Sequence, residues 1–361
     1  MQPIKPIESI ESNDIFNTKN RYGRIFEDEN TRLNESVSTF LEPYFGTDVV
    51  VAPFEEKKQW FKNLLFIAQH EVGLSHSIQH NQACRSIISL TENDELKNKI
   101  LNAPFSENIG AFAVVKPSDN IEFNNSDCSI HGSKRWLTNI ETATYVIFNT
   151  KEQSSSSVKY VYLDLKNISH TINVDYPNIS GMRIAMPGDI TIPRQTIPRS
   201  WMLGEKGHYS KFFHEEVIHQ QCFFTNLVGI SIALYKLVKH YSKIDNTMSG
   251  LNLQKIEIDV SALIMLWEER INDLTDIDDL RNDEFWHKQR TLYLFGKKTL
   301  QSILKQSIEF GIQIHCESDS TRSKCFRDAM TFSSHMTKLH STDAYLYKTY
   351  KFTYDNDMFK L

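Results

Sequence analysis

Residues 130–148 read IHGSKRWLTNIETATYVIF. A short glycine turn at Gly132 joins two alternating apolar runs, which is a hairpin signal. In a regular strand Trp136 and Thr138 lie two apart and so share one face. A large flat ring beside a small hydroxyl suits either ordinary sheet packing or a platform for a flat cofactor. The neighbouring segments have to decide between the two.

Outward from this stretch, GAFAVV, VKYVYLDL, HTINVD and GDITI are further short runs rich in β-branched and aromatic residues. Turn residues such as Pro117, Asn167, Pro177, Gly188 and Pro193 separate them. They predict one β-unit over 110–205. On its N-terminal side, NTRLNESVSTFLEPYF and EEKKQWFKNLLFIAQHEVGLSHSIQHNQACRSIISL space apolar residues by three and four, the helical period. TENDELKNKIL follows, with Thr91 as its expected N-cap and Asp94 three residues on. On the C-terminal side, four long stretches, including EFWHKQRTLYLFGKKTLQSILKQSIEFGIQ, again show helical spacing. The reading is an α+β chain: an N-terminal helical domain (1–109), a central β-barrel (110–205) and a C-terminal helical bundle (206–361). Clefts between such layers are where cofactors usually sit.

The bulk numbers narrow the function. The chain has 361 residues, 40% hydrophobic and 24% charged, with a formal net charge of −5. That balance carries no basic footprint and argues against nucleic acid or an anionic membrane as partner. The N-terminus shows no apolar signal-peptide core. The longest apolar run, FFTNLVGISIALYKLV, is broken by Asn226 and reads as a buried helix rather than a membrane span. The five cysteines are scattered and odd in number, which fits reduced thiols in a cytoplasmic protein and no zinc site. Only 13 glycines, and neither GxGxxG nor GxxxxGK[ST], argue against a Rossmann or P-loop enzyme.

Four patches in order resemble the acyl-CoA dehydrogenase superfamily: SHSIQHNQACRSIISLTENDELKNKIL, IHGSKRWLTNIETATYVIF, GMRIAMPGDITIPRQTIPRSWMLGEKG and FRDAM. The second is similar to that family's nGxKxWITN signature and the fourth to the RDar that opens its last functional loop. The resemblance implies a helical domain, a β-barrel and a four-helix bundle, with a flavin (FAD or FMN) held between barrel and bundle. It places Trp136 and Thr138 against the flavin ring. It also implies a homodimer or homotetramer.

The departures matter as much. The family's TEPxxGSD reads FAVVKPSD here, so Val115 stands where a flavin-touching Thr is expected, ahead of Ser118. The phosphate-anchoring R…FG…Q region reads YSKIDNTMSGLNLQ, with Asp245 near the Arg position, and an acidic side chain repels phosphate. Nine residues after Arg327, where a dehydrogenase carries its glutamate base, stands Met336. No carboxylate lies between Asp328 and Asp343, so the dehydrogenase mechanism lacks its base unless Glu216 or Glu317 serves from elsewhere. Residues 327–335, RDAMTFSSH, instead resemble the RxxRTxTxH loop of the dibenzothiophene monooxygenase branch. There, reduced flavin delivered by a separate flavin reductase activates oxygen for a small-molecule substrate. On that resemblance His335 is the acid/base and Ser333 and Thr331 its helpers; a histidine titrating near neutral pH suits the role. Two readings stay beside this one: a dehydrogenase with a displaced base, and a non-catalytic member of the fold. His76 and His80, at i and i+4, are a candidate metal pair without a third ligand, and read as a solvated or capping face.

Overall fold

The computed structural model describes residues 41–338, apart from 47, 106, 115–118, 152–157, 175–180, 186, 207–209, 245–252, 276, 278–279, 281–282 and 310–319. Helix α1 (Phe54–His70) turns at Glu71 into α2 (Val72–Leu90), and α3 (Asp94–Leu101) follows. The break at Glu71 has a local cause. Its backbone leaves the helical region, and its carboxylate accepts the Gly73 N–H at 3.1 Å, capping α2. At α3 the expected cap is displaced. Asn93 accepts the Leu96 N–H at 3.0 Å, while Thr91 closes the preceding helix. Asn outranks Thr as an N-cap, and the first turn of α3 carries Asp94 and Glu95 against the helix dipole.

The β-unit comprises β1 (Gly110–Val114), β2 (Glu122–Asn124), β3 (Ser129–Leu137), β4 (Tyr145–Lys151), β5 (Val158–Asp164), β6 (Thr171–Asn173), β7 (Gly188–Thr196) and β8 (Met202–Lys206). The short β2 and the glycine-bearing β8 escaped the sequence pattern. The strands form two four-stranded sheets, β1-β4-β5-β8 and β2-β3-β7-β6. Among the described residues no ladder joins the sheets, so the expected barrel is a pair of facing sheets. Ala111, Phe123, Ile130, Val146, Phe148, Val161 and Ile190 fill the space between them. The first sheet is also covered on its outer face, where Phe112, Tyr145, Ile147, Tyr160 and Tyr162 meet Cys84, Ile87 and Ile88 of α2. Burial on both faces is why β4 and β5 read as near-continuous apolar runs.

Gly132 is not a hairpin turn. It lies inside the single strand β3, with φ 124°, at a register shift between Ile130 and Gly132. The mimicry is physical: a bulge and a turn both need a backbone that only glycine adopts cheaply. A Cβ here would collide with the backbone oxygen of Asn120. Gly132→Ala is therefore expected to cost roughly 3 kcal/mol, read as a lowered urea midpoint.

The bundle comprises α4 (Phe213–Ile244), α5 (Leu253–Asn272), α6 (Asp283–Glu309) and α7 (Ser320–Lys338). Trp60, Phe61, Leu64, Leu227, Leu263, Trp267 and Phe332 join it to α1 in one core. Residues 213–242 of α4 are long and apolar enough to cross a membrane, Asn226 notwithstanding. Burial separates the cases: 89% of its most apolar window is buried inside the protein.

Candidate functional site

The β-unit meets the helices where β3 ends. Trp136 has φ 62° and its side chain is 55% exposed, while Thr138 is 5% exposed. Arg135 and Trp136 are both exposed, and Leu137 and Thr138 are both buried. The expectation that Trp136 and Thr138 share one face fails for that reason. A register shift between Lys134 and Leu137, together with the left-handed backbone of Trp136, rotates the strand out of its two-residue alternation. The Trp136 N–H donates to Asp189 Oδ1 at 3.2 Å, and Arg135 Nε donates to Asp189 Oδ2 at 3.3 Å. A bulky residue in the left-handed region is strained by about 1–3 kcal/mol, and such residues gather at working sites.

Just beyond, Asn139 also has positive φ, 69°. Its N–H donates to Ala185 O at 3.0 Å. Its Nδ2 donates to Ser77 O of α2 at 2.9 Å and to Gly110 O of β1 at 3.3 Å. One side chain thus pins the end of β3 to the first sheet and to α2.

The GMRIA segment, residues 181–185, carries the connection on to α7. Met182 has φ 56°, and its N–H donates to Asp328 Oδ1 at 2.6 Å. Gly181 lies so close to α7 that a Cβ would strike the Arg327 carbonyl. Asp328 Oδ2 accepts from Lys324 Nζ at 2.7 Å, and Lys324 also pairs with Glu71, the cap of α2. All three charged side chains are buried. The two segments that resembled a flavin site, around Trp136 and around Arg327, are therefore held to one junction by residues 181–185.

Residues 327–335 do not open a loop. They belong to α7, which has no Gly or Pro to break it and buries Phe326, Ala329 and Phe332 at helical spacing. Phe332 stacks on Phe223 of α4, with ring centroids 5.3 Å apart. Ser333 is buried and Thr331 half-buried on this helix. His335 lies in its last turns, with its side chain outside the described part. Val115 and Ser118, and the phosphate region around Asp245, also lie outside the described residues.

His76 and His80, beside Ser77 on α2, belong to a polar cluster shared with α4. His76 and His80 do not form a solvated face: α2 is buried almost all round, with only His80 half-buried between Ser77 and Ile88. Their rings are 4.4 Å apart, and His80 lies 5.7 Å from His219 of α4. Glu215, 2% exposed, places Oε1 4.0 Å from His219 Nδ1, and its Oε2 accepts the Tyr160 hydroxyl at 3.2 Å. Burial, then the charge of Glu215, pushes the Tyr160 hydroxyl and the thiols of Cys84 and Cys222 well above their ordinary ranges. Among the described residues no group of three or more His, Cys, Asp or Glu side chains is placed to hold a metal. The histidines in HEEVIHQ and SHSIQH were visible signals; their convergence from two distant helices was not.

No protein-family model and no curated sequence matches the chain. Solved structures do. Glutaryl-coenzyme A dehydrogenase in its glutaryl-CoA complex is 14% identical, with 92% of this chain and 93% of that one covered and a TM-score of 0.72. A glutaryl-CoA dehydrogenase from Mycobacterium smegmatis in complex with FADH2 is 11% identical, covering 90% and 88% at a TM-score of 0.68. Dibenzothiophene monooxygenase from Paenibacillus sp. A11-2 is 12% identical, covering 86% and 89% at a TM-score of 0.68. The chain therefore has the acyl-CoA dehydrogenase fold, which this monooxygenase shares.

Proposed function

We propose that the protein is a flavin-dependent monooxygenase that oxygenates a small-molecule substrate with reduced flavin and O2. The observation that carries the flavin reading is Trp136: a strained tryptophan, more than half exposed, at the junction of the β-unit and the helices. An exposed indole face suits a flat isoalloxazine ring. Thr138, withdrawn beside it, fits the ring edge less directly than the sequence suggested. The FADH2 bound by a protein of the same fold supports the same ligand class here. Bound flavin would supply the oxygen chemistry. The chain's own part is to seat the ring on Trp136, keep water out with the buried α2–α4–α7 core, and hold a proton near the substrate. His335, with Ser333 and Thr331 on the same helix, is assigned that last role.

The lack of a carboxylate between Asp328 and Asp343 favours oxygenation over dehydrogenation. A diffusible flavin handed over by a reductase also suits Asp245, which stands where phosphate would otherwise be gripped. By analogy of fold the working unit is a homo-oligomer.

Titration of the purified protein with oxidised and reduced FMN and FAD tests this. The expected result is that reduced flavin binds at least tenfold more tightly than oxidised, and that acyl thioesters fail to bleach the bound flavin. A co-purifying flavin bleached by acyl thioesters would make the protein a dehydrogenase with a displaced base, for which Glu216 on α4 is the candidate. Failure of every flavin to bind in either redox state leaves a non-catalytic scaffold.

A further inference from the structure

We propose that His219 is a second acid–base residue of this site, and that the substrate it serves carries a weakly acidic O–H, N–H or S–H, as a phenol does. The inference deepens the monooxygenase reading and rests on it for the overall reaction.

The hydrogen-bond chain behind His219 assigns its protons. Ser75 Oγ donates to Asn226 Oδ1, which turns the Asn226 amide so that Nδ2 donates to Gln79 Oε1 at 2.8 Å. Gln79 Oε1 also lies 3.3 Å from His76 Nδ1, which must donate to it. With its oxygen so committed, Gln79 presents Nε2 to His219. That amide donates to the His219 carbonyl at 3.3 Å and lies 3.4 Å from His219 Nε2. A donor facing Nε2 requires a lone pair there, so the ring proton sits on Nδ1, on the side of Glu215. Glu215 is turned in place by Tyr160, whose hydroxyl donates to its other oxygen. Gln79 thus keeps the lone pair on Nε2, and the Glu215 carboxylate, 4.0 Å from Nδ1, faces the other side of the ring, where it favours the protonated form. Glu215 and Gln79 are positioning residues.

His219 is also reachable. Its side chain is 18% exposed, against 2% for Glu215. The 3.4 Å contact from Gln79 is long and shared with the carbonyl, so a substrate can displace it without orphaning the amide. Its position is contiguous with the flavin junction. His80 Nδ1 donates to Phe112 O at 3.3 Å, two residues along β1 from the Gly110 carbonyl that Asn139 grips. Phe112 packs edge-on to the His219 ring at 5.4 Å. The step is simple. The substrate X–H bond breaks, an N–H bond forms at His219 Nε2, and the electron pair stays on X, which makes X the nucleophile that oxygenation needs.

Among the described residues, Glu215 on its own helix and His80 from α2 lie against His219, and Cys84, Cys222 and Tyr160 feel the charge of Glu215 in turn. The cysteines and Tyr160 stay neutral, since burial holds them well above their ordinary ranges.

The probe is 4-nitrophenol, whose ionised form absorbs in the visible, added to the full chain without flavin. The expected result is that wild type lowers the apparent pKa of bound nitrophenol by about one unit, a tenfold gain in ionised fraction. His219→Gln should abolish the shift and Glu215→Gln should reduce it. If His219→Gln is not folded by circular dichroism, His219→Asn and Gln79→Leu take its place; Gln79→Leu, by freeing the tautomer, should weaken the shift. A shift unchanged in a folded His219 variant, or no shift in wild type, overturns the proposal. Flavin affinity measured on the same preparation is independent of this readout. Loss of flavin binding with the nitrophenol shift intact would therefore sink the monooxygenase reading and leave the His219 site standing.

Discussion

Trp136→Gly is expected to raise stability and weaken flavin binding together. The two effects have separate causes. Trp136 holds φ 62° against its own side chain, and glycine adopts that backbone freely, which removes about 1 kcal/mol of strain. Less packing is lost than at a core tryptophan, because the residue is 55% exposed. The backbone N–H to Asp189 remains available, so β3 keeps its bulge. Flavin affinity moves the other way. An aromatic stacking partner is worth roughly 1–3 kcal/mol, so the dissociation constant for reduced flavin should rise about 5- to 150-fold. Trp136→Phe should retain most of the affinity. Thermal unfolding and a flavin fluorescence titration on the same samples check both halves. An unchanged affinity would remove the indole from the cofactor platform, and a lowered melting temperature would mean that it packs against something the fold needs.

Lys324→Met is expected to be the most destabilising single change at the junction, by about 3–5 kcal/mol. Lys324 stands between Glu71 and Asp328, and all three are buried. Deleting that cation leaves two carboxylates facing each other away from water. Asp328→Asn should cost less, about 1–3 kcal/mol. Its side-chain oxygen can still accept the Met182 N–H, and Lys324 keeps Glu71. The order of the two variants in urea unfolding is the test. A Lys324→Met protein as stable as Asp328→Asn would show that the carboxylates relax into solvent. Because this network caps α2, seats Met182 and anchors α7 at once, its loss should also loosen the flavin junction.

Much of the architecture was legible in the chain because each layer has its own period. Helices α1, α2 and α4 to α7 show apolar residues three and four apart, and β4 and β5 show β-branched and aromatic runs between turn residues. Patterns of that kind depend on neighbours in sequence, so the sequence suffices for them. Misreadings fell where one local pattern has two tertiary outcomes. Gly132 served a bulge rather than a turn. At RDAM the helical spacing was the right guide and the loop implied by the resemblance was not, because Phe326 and Phe332 are drawn into the bundle core.

The sequence by itself determined the order of helical, β and helical layers, the absence of glycine-rich phosphate loops, and the chemistry available on residues 327–335. Tertiary structure alone decided where that chemistry meets. Asn139 is joined to Ser77 across 62 residues, Met182 to Asp328 across 146 and Gln79 to His219 across 140. No period in a sequence reports such pairings, because they come from packing whole layers together and not from the conformational preference of any segment.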